Sequence, residues 1–211
     1  MQTVLIYGDS NTHGTKPLQR PGQSERFSPA HRWPAVMAAQ LGPDVRVIDE
    51  GLPGRTTVHD DPIEGGARNG LSVLPAILPS HAPIDLLVIM LGTNDLKSRF
   101  SVTSWEIARS VERLVLAARD ELPGLAVLIV APVPVREVGG LKEVYVGAER
   151  RQEGLIAHLA QIAKAQGCGF VDAGSYIEVS DIDGVHWDAE AHVSFAAVMA
   201  EKVADQLGAE G

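Results

Sequence analysis

The chain has 211 residues, 45% hydrophobic and 21% charged, which suits one domain spanning residues 1–211 with a sizeable core. Its formal net charge of -9 repels nucleic acid and anionic membrane surfaces, so a neutral or weakly polar small molecule is the expected partner rather than a polyanion. The single cysteine, Cys168, excludes an intramolecular disulfide and a multi-thiolate metal site. Lying just before Gly169-Phe170-Val171, it reads as a small buried hydrophobe.

The first predicted element is a strand over Gln2 to Tyr7. Its run Val4-Leu5-Ile6-Tyr7 lacks polar alternation, as expected of a strand buried on both faces. It stops at Gly8-Asp9-Ser10. Residues 11 to 32 hold Gly14, Pro17, Pro21, Gly22 and Pro29 and read as a long loop, of the kind that is often functional. A helix over Trp33 to Leu41 and a strand over Val45 to Ile48 follow. Gly51-Leu52-Pro53-Gly54 marks a turn of unusual backbone shape.

A polar loop from Asp60 to Gly70 leads to a helix carrying Leu71, Leu74 and Leu78 that is expected to end near Pro79. Ile84 to Leu91 is a strongly apolar strand closed by Gly92-Thr93-Asn94-Asp95. From Thr103 to Glu121, Ile107, Ala108, Val111, Leu114, Val115 and Ala118 follow the helical repeat, and Thr103 with Glu106 has capping-box spacing. A strand over Leu125 to Ala131, a loop over roughly 135 to 146, and a helix with Leu155, Ile156, Leu159, Ile162 and Ala163 come next. Gly169 to Val171 is the last strand. The loop from Asp183 to Asp188 leads into a final helix with Phe195, Val198, Met199 and Val203 on one face.

Regular alternation of strand and helix predicts a five-stranded parallel sheet with helices on both faces. Right-handed crossovers bring every strand's carboxyl end to one edge. No apolar run approaches the roughly 20 residues that span a bilayer. The N-terminus opens directly into a strand, without a basic start or a separate apolar region. A soluble, cytoplasmic protein is therefore expected.

That edge collects four features: Ser10 after the first strand, Gly54 after the second, Asn94 after the third, and Asp183 with His186 before the last helix. A serine hydroxyl needs a base to become a nucleophile. His186 can take its proton and return it to a leaving group, and Asp183 can fix the imidazole tautomer through Nδ1. The N–H groups of Ser10 and Gly54 and the amide of Asn94 are candidate donors to an oxyanion. Each feature taken singly also fits a capped turn or a plain strand end. Their joint order favours acyl transfer.

Together these residues make the chain resemble the SGNH (GDSL-type) hydrolases. Gly8-Asp9-Ser10, Gly54, Gly92-Thr93-Asn94-Asp95 and Asp183-Gly184-Val185-His186 match that family's blocks along essentially the whole chain. Glu25-Arg26-Phe27, Arg32-Trp33, Glu50-Gly51-Leu52 and Arg55-Thr56-Thr57 look like its small bacterial arylesterase and acyltransferase/perhydrolase branch. The resemblance implies a flavodoxin-like three-layer α/β/α sandwich, a Ser–His–Asp triad that uses no metal or cofactor, and a shallow site for short acyl groups. It also implies homo-oligomers in which neighbouring loops narrow the entrance. The Gly-x-Ser-x-Gly elbow of α/β-hydrolases is absent.

Leu52 and Pro53 beside Gly54, together with Val133, Tyr145 and Trp187, are candidate pocket walls. His59-Asp60-Asp61 offers adjacent residues rather than a pre-shaped metal site, with its carboxylates expected in solvent. His192 has Ala189 three residues upstream instead of an aspartate, so it is expected at the surface or behind the site. Asp9 and Asp95 are expected to anchor their turns. The expected activity is hydrolysis of short-chain esters, aryl acetates among them, with acyltransfer or perhydrolysis where the pocket is dry. A carbohydrate O-acetyl esterase is the second enzymatic reading. A non-catalytic flavodoxin-like binding module is the third, but it gives Asp183 and His186 no task, and Asp9 would repel a flavin phosphate.

Overall fold

Side chains of a strand alternate between the two faces of its sheet, and the first strand shows what each face must bury. In the computed structural model, which describes residues 1–208, strand β1 (Gln2–Gly8) sends Val4 and Ile6 into one apolar cluster and Leu5 and Tyr7 into another. Strands β2 (Val45–Gly51), β3 (Leu86–Met90), β4 (Ala126–Ala131) and β5 (Gly169–Asp172) complete a parallel sheet in the order β2-β1-β3-β4-β5. The helices are α1 (Ser10–His13), α2 (Trp33–Leu41), α3 (Gly70–His81), α4 (Ser104–Glu121), α5 (Ala148–Arg151), α6 (Leu155–Ala165) and α7 (Ala189–Gly208).

Two helices cover one face: Trp33 and Met37 of α2 and Phe195, Met199 and Val203 of α7 pack on Val4, Ile6, Val88 and Val130. On the other face α3, α4 and α6 bury Leu74, Leu78, Ile107, Leu114 and Leu159 against Leu5, Leu87, Ile89 and Ile129. This is the three-layer sandwich that the alternation predicts. The strand order reverses between β1 and β3. Ligands of such sheets bind at the carboxyl ends beside that switch point. Ser10 follows one flanking strand and Asn94 the other.

The capping box on α4 is formed, with the Glu106 carboxylate accepting from Thr103 N–H at 2.8 Å and the Thr103 hydroxyl accepting from Glu106 N–H at 3.3 Å. Several local expectations are corrected. The loop over 11 to 32 begins as the single turn α1, capped by Asp9 and closed by Gly14 in the left-handed region. Helix α3 runs through Pro75 and Pro79 to His81, because Leu74 and Leu78, both fully buried, hold it against α4. The helix expected to carry Leu155, Ile156, Leu159, Ile162 and Ala163 is formed as α6, and an unpredicted turn, α5, precedes it with Gly154 between them at φ 81°. Val198 is only half-buried on α7, whereas His192 is fully buried. Cys168 is half-buried beside β5, and burial raises its thiol pKa. No helix among the described residues is long and apolar enough to cross a membrane.

Candidate active site

The nucleophile turn is shaped first by a close approach. A Cβ on Gly8 would fall 2.0 Å from Thr12 Oγ1, so only glycine lets α1 fold back over the end of β1. Asp9 then caps α1, its carboxylate accepting from Asn11 N–H at 3.0 Å, and Ser10 becomes the first helical residue.

Ser10 Oγ lies 3.0 Å from His186 Nε2, and His186 Nδ1 lies 2.6 Å from Asp183 Oδ2. The same Asp183 oxygen accepts from Leu18 N–H at 2.7 Å. Its other oxygen accepts from the N–H groups of Val185 and His186, both at 2.9 Å. Burial works to raise the Asp183 pKa, but the His186 hydrogen bond and charge, aided by the Leu18 and His186 N–H groups, hold it below the usual carboxylate range. A carboxylate that stays ionised keeps the Nδ1–H tautomer, which leaves Nε2 as the acceptor facing Ser10.

The base loop is tied down from several sides. Asn11 Nδ2 donates to Val185 O at 3.1 Å, joining the nucleophile turn to the histidine loop. Arg136 N–H donates to Gly184 O and Gly140 N–H to Ile182 O, each at 2.8 Å. Beneath the site, Arg55 is almost completely buried. It donates to Gly8 O at 2.9 Å and to Glu50 O, stacks 4.0 Å over the Tyr7 ring, and so clamps β1 to β2.

Ser10, Gly54 and Asn94, the three candidate donors, line the same cavity. Gly54 adopts φ +82°, a conformation that other residues rarely accept, and the turn is closed by Arg55 N–H to Leu52 O at 3.0 Å. Neither the Ser10 nor the Gly54 N–H meets an acceptor among the described residues. Asn94 is oriented by two long contacts, Tyr145 Oη to its Oδ1 at 3.5 Å and its Nδ2 to Asp9 Oδ2 at 3.4 Å. Burial raises the Asp9 pKa to about 6, against the pull of the Asn11 N–H and the His186 charge.

Ser10, Gly54, Asn94 and His186 open into one cavity of about 460 Å³. Its walls include Thr15, Leu18, Pro53, Leu141, Val144 and Tyr145. Among the candidate walls, Pro53 and Tyr145 line this cavity and Leu52, Val133 and Trp187 do not. Val133 and Trp187 are buried in the core beneath α2 and α7, with the Trp187 ring 5.2 Å from those of His192 and Phe195. His192 is not at the surface. It is fully buried between Trp187 and Phe27, and burial, with the His186 charge adding, lowers its pKa to about 3.

The far rim was hidden from sequence reasoning. Asp61 is 2% exposed rather than solvated. It pairs with Lys97 at 3.3 Å and with Arg99 at 3.1 Å, and both cations also meet Glu64. Lys97 is itself 3% exposed, and the one available signal was a pair of cations just past the Asn94 turn. Asp95 anchors its turn as expected, accepting from Thr57 N–H at 3.0 Å. Among the described residues, no cluster of three or more His, Cys, Asp or Glu side chains is arranged to hold a metal ion.

The chain is similar to a known family and to several solved structures. The GDSL-like lipase/acylhydrolase family model matches residues 6–195. Est24, a carbohydrate acetylesterase from Sinorhizobium meliloti, is 36% identical, with a TM-score of 0.92 over 97% of this chain and 99% of that one. The inhibitor-bound aryl esterase of M. smegmatis is 35% identical, with a TM-score of 0.92 over 98% of this chain and 100% of that one. The lipase/acylhydrolase from Enterococcus faecalis shares the fold, at 19% identity and a TM-score of 0.69 over 96% of this chain and 95% of that one. No curated protein matches the sequence. With the family model covering most of its length, the chain belongs to the GDSL-like lipase/acylhydrolase family.

Proposed function

We propose that the protein is a serine esterase that hydrolyses short-chain carboxylic esters through an acyl-enzyme. The carrying observation is the continuous Asp183–His186–Ser10 relay, at 2.6 and 3.0 Å, which opens into a cavity also lined by Gly54 and Asn94. Ser10 Oγ attacks the acyl carbon as its proton passes to His186 Nε2. The negative oxygen that develops is met by the N–H groups of Ser10 and Gly54 and by the Asn94 amide. His186 returns the proton to the departing alkoxide or phenoxide. A water then attacks the acyl carbon as His186 takes its proton, the acyl–Oγ bond breaks, and His186 returns the proton to Ser10 Oγ as the carboxylic acid leaves. An alcohol or hydrogen peroxide in place of that water gives acyltransfer or perhydrolysis.

Hydrolysis of p-nitrophenyl esters of increasing chain length tests this reading. Acetate and propionate are expected to be turned over fastest, with Ser10→Ala losing roughly 10⁴-fold or more in kcat. Undiminished turnover by Ser10→Ala would sink the mechanism. Carbohydrate O-acetyl ester hydrolysis is the second reading, favoured by the likeness to Est24 and by the charged rim of Glu64, Arg68, Lys97 and Arg99, which offers partners to sugar hydroxyls. Acetyl release from acetylated xylan that outruns phenyl acetate would select it. Self-association belongs to the same proposal: Ile63 beside the cavity is 74% exposed and Trp105 57%, and light scattering in solution tests it.

A further inference from the structure

Three cations and two carboxylates meet at the cavity rim. Lys97 and Arg99 share the carboxylates of Asp61 and Glu64. Arg68 also lines the cavity, yet no carboxylate oxygen lies within 4.0 Å of its guanidinium among the described residues. Its Nε is buried without a hydrogen-bond partner. That buried atom cannot reach a ligand, but the two terminal nitrogens of the guanidinium are not buried and make no hydrogen bond among the described residues, so their N–H donors are free to meet a carboxylate in the cavity.

The position of this arginine is built. Its carbonyl accepts from Thr56 N–H at 3.0 Å, and its N–H donates to Gly66 O at 3.0 Å. A Cβ placed on Gly54 would lie 3.2 Å from Arg68 Nε, so the guanidinium packs against the turn that carries an oxyanion donor. A chain with a formal charge of -9 thus presents Arg68, Lys97 and Arg99 against Glu64 on the wall of its catalytic cavity. An apolar cavity wall focuses that local field, and a guanidinium recognises a carboxylate through paired N–H donors.

We propose that Arg68 is a specificity-determining residue that selects esters bearing a carboxylate, binding it while Ser10 attacks the ester carbonyl. This deepens the esterase reading and rests on it. The test compares kcat/KM for 4-acetoxybenzoate and for its uncharged methyl ester in wild type, Arg68→Gln and Arg68→Lys. Wild type is expected to favour the anion, and Arg68→Gln to lower the anion-to-neutral ratio by about tenfold or more. The loss should fall mainly in the KM of the anion, and Arg68→Lys should restore part of the ratio. In wild type alone, the ratio should fall as sodium chloride is raised from 20 to 500 mM.

Three results would overturn it: an unchanged ratio in Arg68→Gln, an equal loss on both esters (which would assign Arg68 to the oxyanion), or a wild-type ratio indifferent to salt. Wild type inactive on both esters would instead overturn the esterase reading and this inference together. Turnover of the neutral ester by wild type separates the two failures.

Discussion

The inner site and the outer rim hold their carboxylates by different means. Asp183 is tied by three backbone N–H groups and one imidazole. Asp61 accepts from the N–H groups of Ile63 and Glu64, both at 3.2 Å, but its charge is met by the long side chains of Lys97 and Arg99. Backbone donors are preorganised by the fold and lose little entropy on bonding. Long cationic side chains must be ordered to pair, and they are screened where exposed. The proposed reacting groups are therefore held by the backbone, while the cavity rim rests on side-chain contacts that single substitutions can rearrange.

Asp183→Asn gives the sharpest test of this contrast. The amide keeps the shape but forces the wrong imidazole tautomer, so kcat should fall by roughly 10⁴-fold with Tm changing far less. A loss below tenfold would show that Asp183 does not orient the base. Next in size is Asn94→Ala, which removes one oxyanion donor and should cost about 10²- to 10³-fold in kcat with little change in KM.

His192 probes the packing behind the inner site. Its folded pKa of about 3 lies below the roughly 6.5 of an unfolded histidine. Between those values the unfolded chain binds the extra proton, so this residue's contribution to stability is lost as pH falls below 6.5. The drop in unfolding free energy from pH 7 to pH 5 should be smaller by about 2 kcal/mol in His192→Leu than in wild type. Denaturant melts at the two pH values measure it, and equal drops would contradict the buried, neutral ring.

The smallest effect on kcat belongs to the rim. Lys97→Met leaves Asp61 with Arg99 and two N–H groups but removes one partner of a buried pair, so stability should fall by roughly 2 to 4 kcal/mol. KM should change severalfold and kcat hardly at all. A kcat loss comparable with that of Asn94→Ala would erase the distinction between the two regions.

The same distinction separates what was legible in the sequence from what was not. Strands buried on both faces leave continuous apolar runs, and β1, β3 and β4 could be read directly from theirs. Ser10, Gly54 and Asn94 were legible because each follows a strand whose end the parallel topology fixes, and His186 because it precedes the last helix with Asp183 three residues upstream. That rule gives a residue's region and not the direction of its side chain. Trp187 therefore turns into the core beside Phe195 while its neighbour His186 faces the cavity. Helix α1 is too short for periodicity, although Asp9 and Gly14 mark its two ends. The Asp61–Lys97 pair joins segments 36 residues apart, and no local pattern announces it. Asn11 is the clearest omission: it lies next to the nucleophile, yet its role depends on Val185 O, 174 residues away.

The Leu18 N–H bond to Asp183 also has a consequence for how such a site can diversify. The entrance loop contributes to the triad with a peptide group, and every amino acid except proline carries that group. Side chains of the loop can therefore drift, reshaping what enters the cavity, while the bond that steadies the acid persists. The bond itself tolerates almost any residue at position 18, although the side chain there lines the cavity, and substitution by proline is the one change that removes the bond outright.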